Sequence, residues 1–194
     1  MRPRSPYSAS KAGGEHIAQA YAMSFGVPLL VTRGSNNYGP YQYPEKLIPV
    51  LITNAIDNLK LPLYNDGSAV RDYIHVEDHC SAIDLVLHEA PPGGVYNVGT
   101  GVQTSGLQVA EAVLQIMGKP HDLIEFVADR PGHDYRYAVD VSRITALGWE
   151  PRIAFAEGLE QTVRWYQDNP DWWRPLKSGE YWEYYKRNYR PLVG

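Results

Sequence analysis

Tyr7 and Lys11 are four residues apart in the stretch SPYSASKAGGE. On a helix, residues with this spacing lie on the same face, so the two side chains would project side by side. A tyrosine with its ordinary pKa of about 10 is a weak base at neutral pH, and a fixed ammonium group nearby lowers that pKa by stabilising the phenolate. Such a phenolate takes the proton of a hydroxyl group while hydride leaves the same carbon for a nicotinamide cofactor. The pair therefore indicates the acid–base half of an alcohol oxidation.

The residues around the pair strengthen this interpretation. Composition alone would produce roughly half an instance of a Tyr-x-x-x-Lys pair in a chain of this length, so the spacing is weak evidence by itself. The neighbouring positions all carry small residues, namely Ser8, Ala9, Ser10, Ala12, Gly13 and Gly14. Such a row lets a cofactor or a partner helix approach the backbone closely, which an exposed structural helix does not need.

The elements that must position these residues alternate between helix and strand. Ser5 and Pro6 predict the start of a helix that ends near Phe25, where Gly26 follows. Later helices are predicted at 45–59, 77–87, 105–117, 143–147 and 155–167, with an aromatic helical tail. Strands are predicted at 29–32, 95–98, 122–127 and 135–140, and two more around the Asn-Asp-Gly turn of 61–76. This alternation is typical of an α/β fold with a largely parallel sheet.

Composition argues against several classes of protein. The 194 residues carry a net charge of −4, which provides no basic surface for nucleic acid. No apolar run approaches the roughly 20 residues that span a bilayer, and residues 1–20 lack the apolar core of a signal peptide. The single cysteine, Cys80, excludes an internal disulfide and is expected to be a small buried side chain on a helix. We therefore expect a cytoplasmic protein without membrane or nucleic-acid partners.

Four segments carry a resemblance to a known family, namely SPYSASKAGGEHIAQAY, RGSNNYGPYQYPEKLIP, YNDGSAVRDYIHVEDH and DRPGHDYRYAVD. Together they closely resemble the extended short-chain dehydrogenase/reductases, and within these the dTDP-glucose 4,6-dehydratases. The resemblance implies an α/β fold that comprises the C-terminal part of a Rossmann-like parallel sheet and a smaller α/β substrate-binding lobe. Residues 1–60, with strands from about 72–98, would belong to the NAD-binding domain. Residues 61–194 would belong mainly to the nucleotide-sugar-binding lobe.

The resemblance also implies a reaction. These dehydratases oxidise C4 of the glucosyl ring of dTDP-glucose with NAD, eliminate water across C5–C6 and return the hydride to C6. The product is a 4-keto-6-deoxy nucleotide sugar, an intermediate of dTDP-rhamnose biosynthesis. Tyr7 matches the base that acts on the 4-hydroxyl beside the cofactor, and Lys11 matches the residue that binds the nicotinamide ribose. Members of the family dimerise through the helix that bears the tyrosine, which implies a homodimer.

Two further pairs of residues match the substrate and cofactor sites. Asn36 and Asn37 follow a buried strand, at the carboxyl edge where ligands of open α/β sheets bind. By resemblance Asn36 contacts the substrate and Asn37 lies near the nicotinamide, although Asn in a turn is the commoner arrangement in such loops. Lys46 and Leu47 match residues that line the substrate channel, at a helix start where anions bind favourably. For Lys46 a solvated surface position is an equally good interpretation of the sequence.

Other residues match the part of the site that holds the nucleotide. Pro62 and Tyr64 match a segment that packs on the base. Arg71 matches an arginine that binds the diphosphate, for which a planar guanidinium is suited. An ion pair with Asp66 or Asp72 is the alternative for Arg71. Further matches to contacts around the diphosphate are Arg130, His133 and Tyr189.

The sequence departs from the family pattern in two places. The dehydratases commonly carry an Asn-Glu pair and another Asn after YNVG, where this sequence has Val102, Gln103 and Gly106. The sequence also contains no Gly-rich strand–turn–helix for the NAD diphosphate. The Asp-Glu pair and the Thr that serve the elimination precede the tyrosine in the family. We expect a chain that corresponds to the C-terminal part of the enzyme and that is inactive alone or needs the other half in trans.

Two alternative functions remain open at this point. One is a UDP-sugar epimerase or decarboxylase of the same superfamily, which shares the YNVGTG segment, whereas EKLIP and DRPGHD favour the dehydratase. The other is a module that binds a nucleotide-diphosphate sugar or dimerises without turnover, which the absent Gly-rich loop favours. No metal site is expected, because no pair of the six histidines shows ligand spacing beside a third ligand.

Overall fold

The computed structural model describes residues 3, 5–129, 135–136 and 138–189. The helices are Pro6–Phe25 (α1), Leu47–Ile56 (α2), Val76–Glu89 (α3), Gly106–Met117 (α4), Ser142–Thr145 (α5), Phe155–Asp168 (α6), Pro170–Trp173 (α7) and Gly179–Asn188 (α8), with a 3₁₀ turn at His121–Leu123. The strands are Val31–Gly34 (β1), Asn36–Tyr38 (β2), Leu61–Tyr64 (β3), Val70–His75 (β4), Val95–Val98 (β5), Gln103–Ser105 (β6) and Ile124–Val127 (β7). The predicted alternation of helices and strands is confirmed, with ends displaced by a few residues.

Strand pairing is mostly parallel. β1 pairs with β5, β2 with β4, and β3 with β7, all in parallel, whereas β6 joins the other edge of β4 antiparallel. Parallel strands need crossover connections, and the helices between the strands supply them. The predicted α/β fold with largely parallel strands is confirmed.

Two local predictions about strands are corrected. The Asn-Asp-Gly turn at 65–67 does not join two paired strands, because β3 bonds to β7 while β4 bonds to β2 and β6. The turn instead carries the chain from one small sheet to the next. The strand predicted at 135–140 is reduced, within its described residues, to one bridge between Arg136 and Val70.

Local sequence determines where the helices begin and end. The hydroxyl of Ser5 accepts the first-turn amide of α1, and Gly26 ends that helix in the left-handed conformation, at a φ of 65°. Ser105 and Gln108 form a reciprocal capping box at the start of α4. These caps satisfy amide and carbonyl groups that have no partner inside a helix. They explain why the predicted ends of both helices agree with the structure.

Two apolar clusters hold the elements together. The larger one lies among α2, α4, α6, α7, β2 and β3, and its buried side chains include Tyr38, Leu51, Leu63, Tyr166 and Trp173. The smaller one lies among α3, α5, β4 and β5, and includes Ile74, Val86, Tyr96, Ile144 and Trp149. The prediction that Cys80 is buried is wrong: it is exposed on α3. In the described part of the chain no helix is long and apolar enough to cross a bilayer.

Gly158 and Gly13 offer a matched test of this packing, since both lie inside helices. A Cβ atom at Gly158 would overlap the hydroxyl oxygen of Tyr38 and lie 3.0 Å from Ile153 Cγ2, whereas one at Gly13 meets no atom within 4 Å. We expect Gly158→Ala to lower the free energy of unfolding by about 1–3 kcal/mol, because the buried Tyr38 must move. Gly13→Ala should raise it by about 0.5–1 kcal/mol, because alanine is the better helix former. Urea denaturation of both variants measures this, and changes of the same sign would contradict it.

Candidate active site and nucleotide site

The predicted catalytic pair lies on an open face of α1. Tyr7 is 72% exposed and Lys11, one turn further along, is exposed as well. Among the described residues, a Cβ atom at Gly13 or Gly14 would meet no neighbour within 4 Å, so these two positions border open space. The helix is joined to β1 by Glu15, whose carboxylate accepts from Arg33 Nε at 2.9 Å. This hydrogen bond from Arg33 holds the pKa of Glu15 below its usual value.

The strand β2 places the two asparagines beside β4. Asn36 lies opposite Tyr73, and Asn37 lies opposite Ile74. Side chains alternate along a strand and paired neighbours share a face, so Asn36 and Tyr73 lie on the same face as Arg71. Residues two apart on a strand are separated by about 7 Å. The fold therefore places Asn36 and Arg71 in one neighbourhood, which the sequence alone did not establish.

Asn37 holds a buried acceptor that lacks a partner. Its Nδ2 donates to the carbonyl of Ser35 at 3.4 Å, while its Oδ1 is buried without a hydrogen-bond partner among the described residues. Its own carbonyl accepts from Gln42 Nε2 at 2.7 Å, which ties β2 to the following loop. Buried polar atoms without partners are rare and destabilising. The amide oxygen of Asn37 thus fits a ligand that donates a hydrogen bond, as the carboxamide of a nicotinamide does.

A second group of predicted residues lies around the turn that connects β3 to β4. Tyr64, at the end of β3, stacks on Tyr189, which follows α8, with ring centroids 5.4 Å apart and planes inclined by 20°. Tyr64 and Tyr135 both line a small cavity of about 60 Å³. Arg71 Nη1 donates to the carbonyl of Tyr135 at 3.3 Å. Tyr64 thus contacts Tyr189 directly, and Arg71 is linked to the same cavity through Tyr135. We call Tyr64, Arg71 and Tyr189 the nucleotide cluster.

The other predicted substrate-binding residues differ in how far they are buried. Pro62 is buried in β3 opposite Glu125 of β7. Lys46 directly precedes α2, is exposed, and pairs with Glu45 at 2.6 Å. Leu47 begins α2 and packs against the larger apolar cluster. The described residues do not include Arg130 and His133.

Asp72 is a residue whose role the sequence did not reveal. It is 2% exposed and accepts hydrogen bonds from the amides of Thr100 and Gly101, both at 3.0 Å, and from the Thr100 hydroxyl at 2.7 Å. A Cβ atom at Gly99 would overlap Asp72 Oδ2, so the loop can approach the carboxylate only with glycine there. Asp72 thereby fastens the YNVGTG loop to β4, one residue after Arg71. In the sequence, the Gly-Thr-Gly run after β5 was the pattern that could have indicated a loop whose backbone amides bind a nearby carboxylate.

The cavity beside Tyr64 is bordered by a short polar loop. Asn65 adopts a left-handed φ of 52° and its Nδ2 donates to Asp129 Oδ2 at 2.7 Å. Asp66 accepts the amide of Ser68 at 2.9 Å and closes the turn. The Asn-Asp-Gly motif predicted the turn but not its contact with Asp129. Within the residues that the structure describes, no three His, Cys, Asp or Glu side chains group closely enough to hold a metal ion.

Parallel strands joined by helices, with a Tyr-x-x-x-Lys pair on α1, define a Rossmann-like fold of the short-chain dehydrogenase/reductase class. The family model described as GDP-mannose 4,6 dehydratase matches residues 1–162, and the chain belongs to this family. Over 179 residues it is 50% identical to the dTDP-glucose 4,6-dehydratase of Streptomyces niveus, covering 92% of this chain and 53% of that one. The predicted resemblance to the dTDP-glucose 4,6-dehydratases is confirmed.

Solved structures agree with this assignment. The dTDP-glucose 4,6-dehydratase of Bacillus anthracis in complex with NAD shares 51% identity and superposes with a TM-score of 0.87, covering 91% of this chain and 57% of that one. The UDP-glucose 4-epimerase of Thermus thermophilus in complex with NAD shares 34% identity, with a TM-score of 0.82 and coverage of 87% and 56%. The chain spans about half the length of the curated relatives that it matches.

Proposed function

We propose that this chain contributes the substrate-binding part and the Tyr-Lys pair of an NAD-dependent nucleotide-sugar 4,6-dehydratase, which converts dTDP-glucose to dTDP-4-keto-6-deoxyglucose. The nucleotide cluster carries the proposal, because a stacked aromatic pair and an arginine linked to the same cavity through Tyr135 suit a planar base followed by two phosphates. The 50% identity to the Streptomyces niveus dehydratase supports the same substrate. No Gly-rich strand–turn–helix occurs in these 194 residues, so protein outside them would hold the NAD diphosphate.

Each side chain near the reaction has a proposed role. Tyr7 takes the proton of the sugar 4-hydroxyl, and Lys11 binds the nicotinamide ribose and stabilises the phenolate. Asn37 accepts a hydrogen bond from the nicotinamide carboxamide through its Oδ1, which has no hydrogen-bond partner in the described part of the chain. Asn36 contacts the sugar. NAD, when bound, supplies a hydride acceptor for C4 and a hydride donor for C6 once water has left across C5–C6.

The nucleotide end of the substrate has its own set of proposed contacts. Pro62 and Tyr64 pack on the base, Tyr189 lies near the diphosphate, and Arg71 binds the diphosphate. Lys46 and Leu47 lie at the start of α2 and are proposed to border the substrate channel. Arg130 and His133 are proposed as further diphosphate contacts. We propose two parts on the basis of these roles. The cofactor domain comprises residues 1–60 with strands from 72–98, and the nucleotide-sugar lobe comprises residues 61–194.

The surface of α1 supports a homodimer. Several large apolar side chains on this helix are exposed: Ile17 at 62%, Tyr21 at 57%, Met23 at 89% and Phe25 at 72%. Exposed apolar patches of this kind mark interaction sites on soluble proteins. We propose a dimer through α1, and a cytoplasmic location in which the exposed thiol of Cys80 stays reduced. The pathway proposed for the product is dTDP-rhamnose biosynthesis.

Similarity to an epimerase supports a second candidate function. The Thermus thermophilus UDP-glucose 4-epimerase has 34% identity to this chain and the same fold, so a UDP-sugar epimerase is the second candidate. The two functions differ in the nucleotide base that they require. Titration of the chain with dTDP and with UDP by calorimetry separates them, since the dehydratase proposal requires tighter binding of dTDP.

Arg71 provides the first test of the nucleotide site. We expect Arg71→Ala to weaken dTDP binding about 10- to 100-fold, because a charge-assisted hydrogen bond contributes about 1.5–3 kcal/mol and each 1.4 kcal/mol is tenfold. The matched control is Arg164→Ala, which removes an exposed arginine that pairs with Glu160 on α6. Calorimetric titration should show the control within twofold of the original chain. Equal losses in the two variants would contradict the proposed role of Arg71.

Turnover tests the complete proposal. We expect no dehydration of dTDP-glucose by the chain alone with NAD. The 4-keto-6-deoxy product should form when the part of the Streptomyces niveus dehydratase that this chain does not match is added; we call this mixture the reconstituted enzyme. Mass spectrometry of the nucleotide sugar detects the loss of one water. Appreciable dehydration by the chain alone, or none by the reconstituted enzyme, would overturn the proposal.

A further inference from the structure

A buried lysine lies between the last two helices. Lys177 is 8% exposed, and its Nζ donates to Thr53 Oγ1 at 3.3 Å and to Asn54 Oδ1 at 3.2 Å, both on α2. The carboxylate of Asp57, the residue directly after α2, lies 3.9 Å from the same Nζ. A buried ammonium is destabilising unless it is paired and hydrogen-bonded. The contacts to α2 compensate for the burial of the charge. They exist only while the segment around Lys177 lies against α2.

Aromatic rings surround the same ammonium. Its Nζ lies 5.6 Å from the ring centroid of Trp173, 5.5 Å from that of Tyr181 and 5.2 Å from that of Trp182. Each distance is within the range in which a cation is attracted to a ring face. Burial lowers the pKa of Lys177 to about 8, against the opposing attraction of Asp57. Two of these rings belong to α8, so the lysine fixes the start of that helix on α2.

Asn54 extends this contact toward the proposed nucleotide site. Its Oδ1 accepts from Lys177, and its Nδ2 donates to the hydroxyl of Tyr185 at 2.9 Å, further along α8. The ring of Tyr185 lies 4.9 Å from that of Tyr189, which in turn stacks on Tyr64. A continuous series of contacts thus runs from the buried ammonium to the nucleotide cluster.

We propose that Lys177 is a positioning residue that, together with Asn54, holds α8 on α2 so that Tyr189 stacks on Tyr64. Apolar packing alone is non-directional and leaves the rotation and register of a short helix loosely specified. Hydrogen bonds at both ends of the Asn54 amide specify one arrangement, as satisfied buried polar networks do. The inference rests on the proposed function only in assuming that Tyr64 and Tyr189 meet the nucleotide.

A double-mutant cycle tests whether Lys177 acts through Tyr189. We expect Lys177→Met to weaken dTDP binding about tenfold in calorimetric titrations. The control Lys186→Met, which replaces an exposed lysine on α8, should change binding less than twofold. In a Tyr189→Ala background the loss caused by Lys177→Met should fall below threefold, because the residue to be positioned is gone. Unchanged binding in Lys177→Met, or a full tenfold loss that persists without Tyr189, would overturn the inference.

A second measurement separates this inference from the proposed function. Hydrogen exchange of amides 179–189 in the ligand-free chain should be at least tenfold faster in Lys177→Met than in Lys186→Met. If the original chain binds no dTDP, the nucleotide proposal fails, and exchange alone decides whether Lys177 positions α8. Should Lys177→Met not fold, Tyr185→Phe removes only the hydroxyl that Asn54 holds, and a threefold increase in exchange is expected. Unaltered exchange in the folded variant would overturn the inference.

Discussion

Replacement of Tyr7 by phenylalanine is expected to slow dehydration of dTDP-glucose by the reconstituted enzyme about 10²- to 10⁴-fold, the usual contribution of a positioned acid–base group. Phenylalanine keeps the ring on the open face of α1 but cannot take the proton of the 4-hydroxyl. Oxidation at C4 then lacks a base, whereas nucleotide binding does not involve this side chain. Single-turnover measurements of the 4-keto product should show the loss in the chemical step, with dTDP affinity within twofold.

Tyr21→Phe is the matched control, since Tyr21 is 57% exposed on the same helix but has no lysine four residues later. Its rate should stay within twofold of the original. A Tyr7→Phe enzyme that keeps more than a tenth of the rate would remove Tyr7 from the proposed mechanism. A comparable loss in Tyr21→Phe would show instead that the helix surface as a whole matters, as in a disrupted dimer.

Replacement of Asp72 by alanine should have the largest effect on stability, lowering the free energy of unfolding by about 2–4 kcal/mol. The substitution removes the acceptor of two backbone amides and one hydroxyl, those of Thr100 and Gly101. Each buried donor left without a partner is destabilising by about 1–3 kcal/mol. Because the loop is only partly buried, water can replace some of the lost hydrogen bonds, so the total loss of stability is smaller than the sum over three donors. Urea denaturation followed by circular dichroism measures the change.

Asp66→Ala provides the comparison, because Asp66 accepts the amide of Ser68 in an exposed turn. We expect it to lower the free energy of unfolding by less than about 1 kcal/mol. Asp72→Asn keeps the shape of the side chain but replaces one acceptor oxygen by a donor, and should lie between the two. Equal stabilities of the two alanine variants would mean that the YNVGTG loop is held by other contacts.

Much of the fold could be predicted because the signals are local. The ends of α1 and α4 follow from Ser5, Gly26 and the Ser105–Gln108 capping box, each acting within one helical turn. The alternation of apolar strands and amphipathic helices sufficed for the α/β class. The spacing of Tyr7 and Lys11 predicted a shared helix face, and the structure has both on α1.

The pairing of strands was less accessible to sequence reasoning. An Asn-Asp-Gly turn between two strands is typical of a hairpin, yet β3 and β4 pair with other strands. The choice between a neighbour in sequence and a distant strand depends on which arrangement buries more apolar surface, and that is a property of the whole chain. The same reason explains why Cys80, on a predicted helix, lies on its exposed side.

The sequence by itself determined the family, the helix that carries the Tyr-Lys pair and the residue types suited to a nucleotide sugar. Only the tertiary structure decided that Tyr64 meets Tyr189 and that Lys177 is buried against α2. Local propensities act over a few residues, whereas these contacts join positions more than a hundred residues apart. They exist because Lys177 and Tyr185 contact Asn54 of α2 while Tyr189 contacts Tyr64 of β3, and no short pattern in the sequence specifies those contacts.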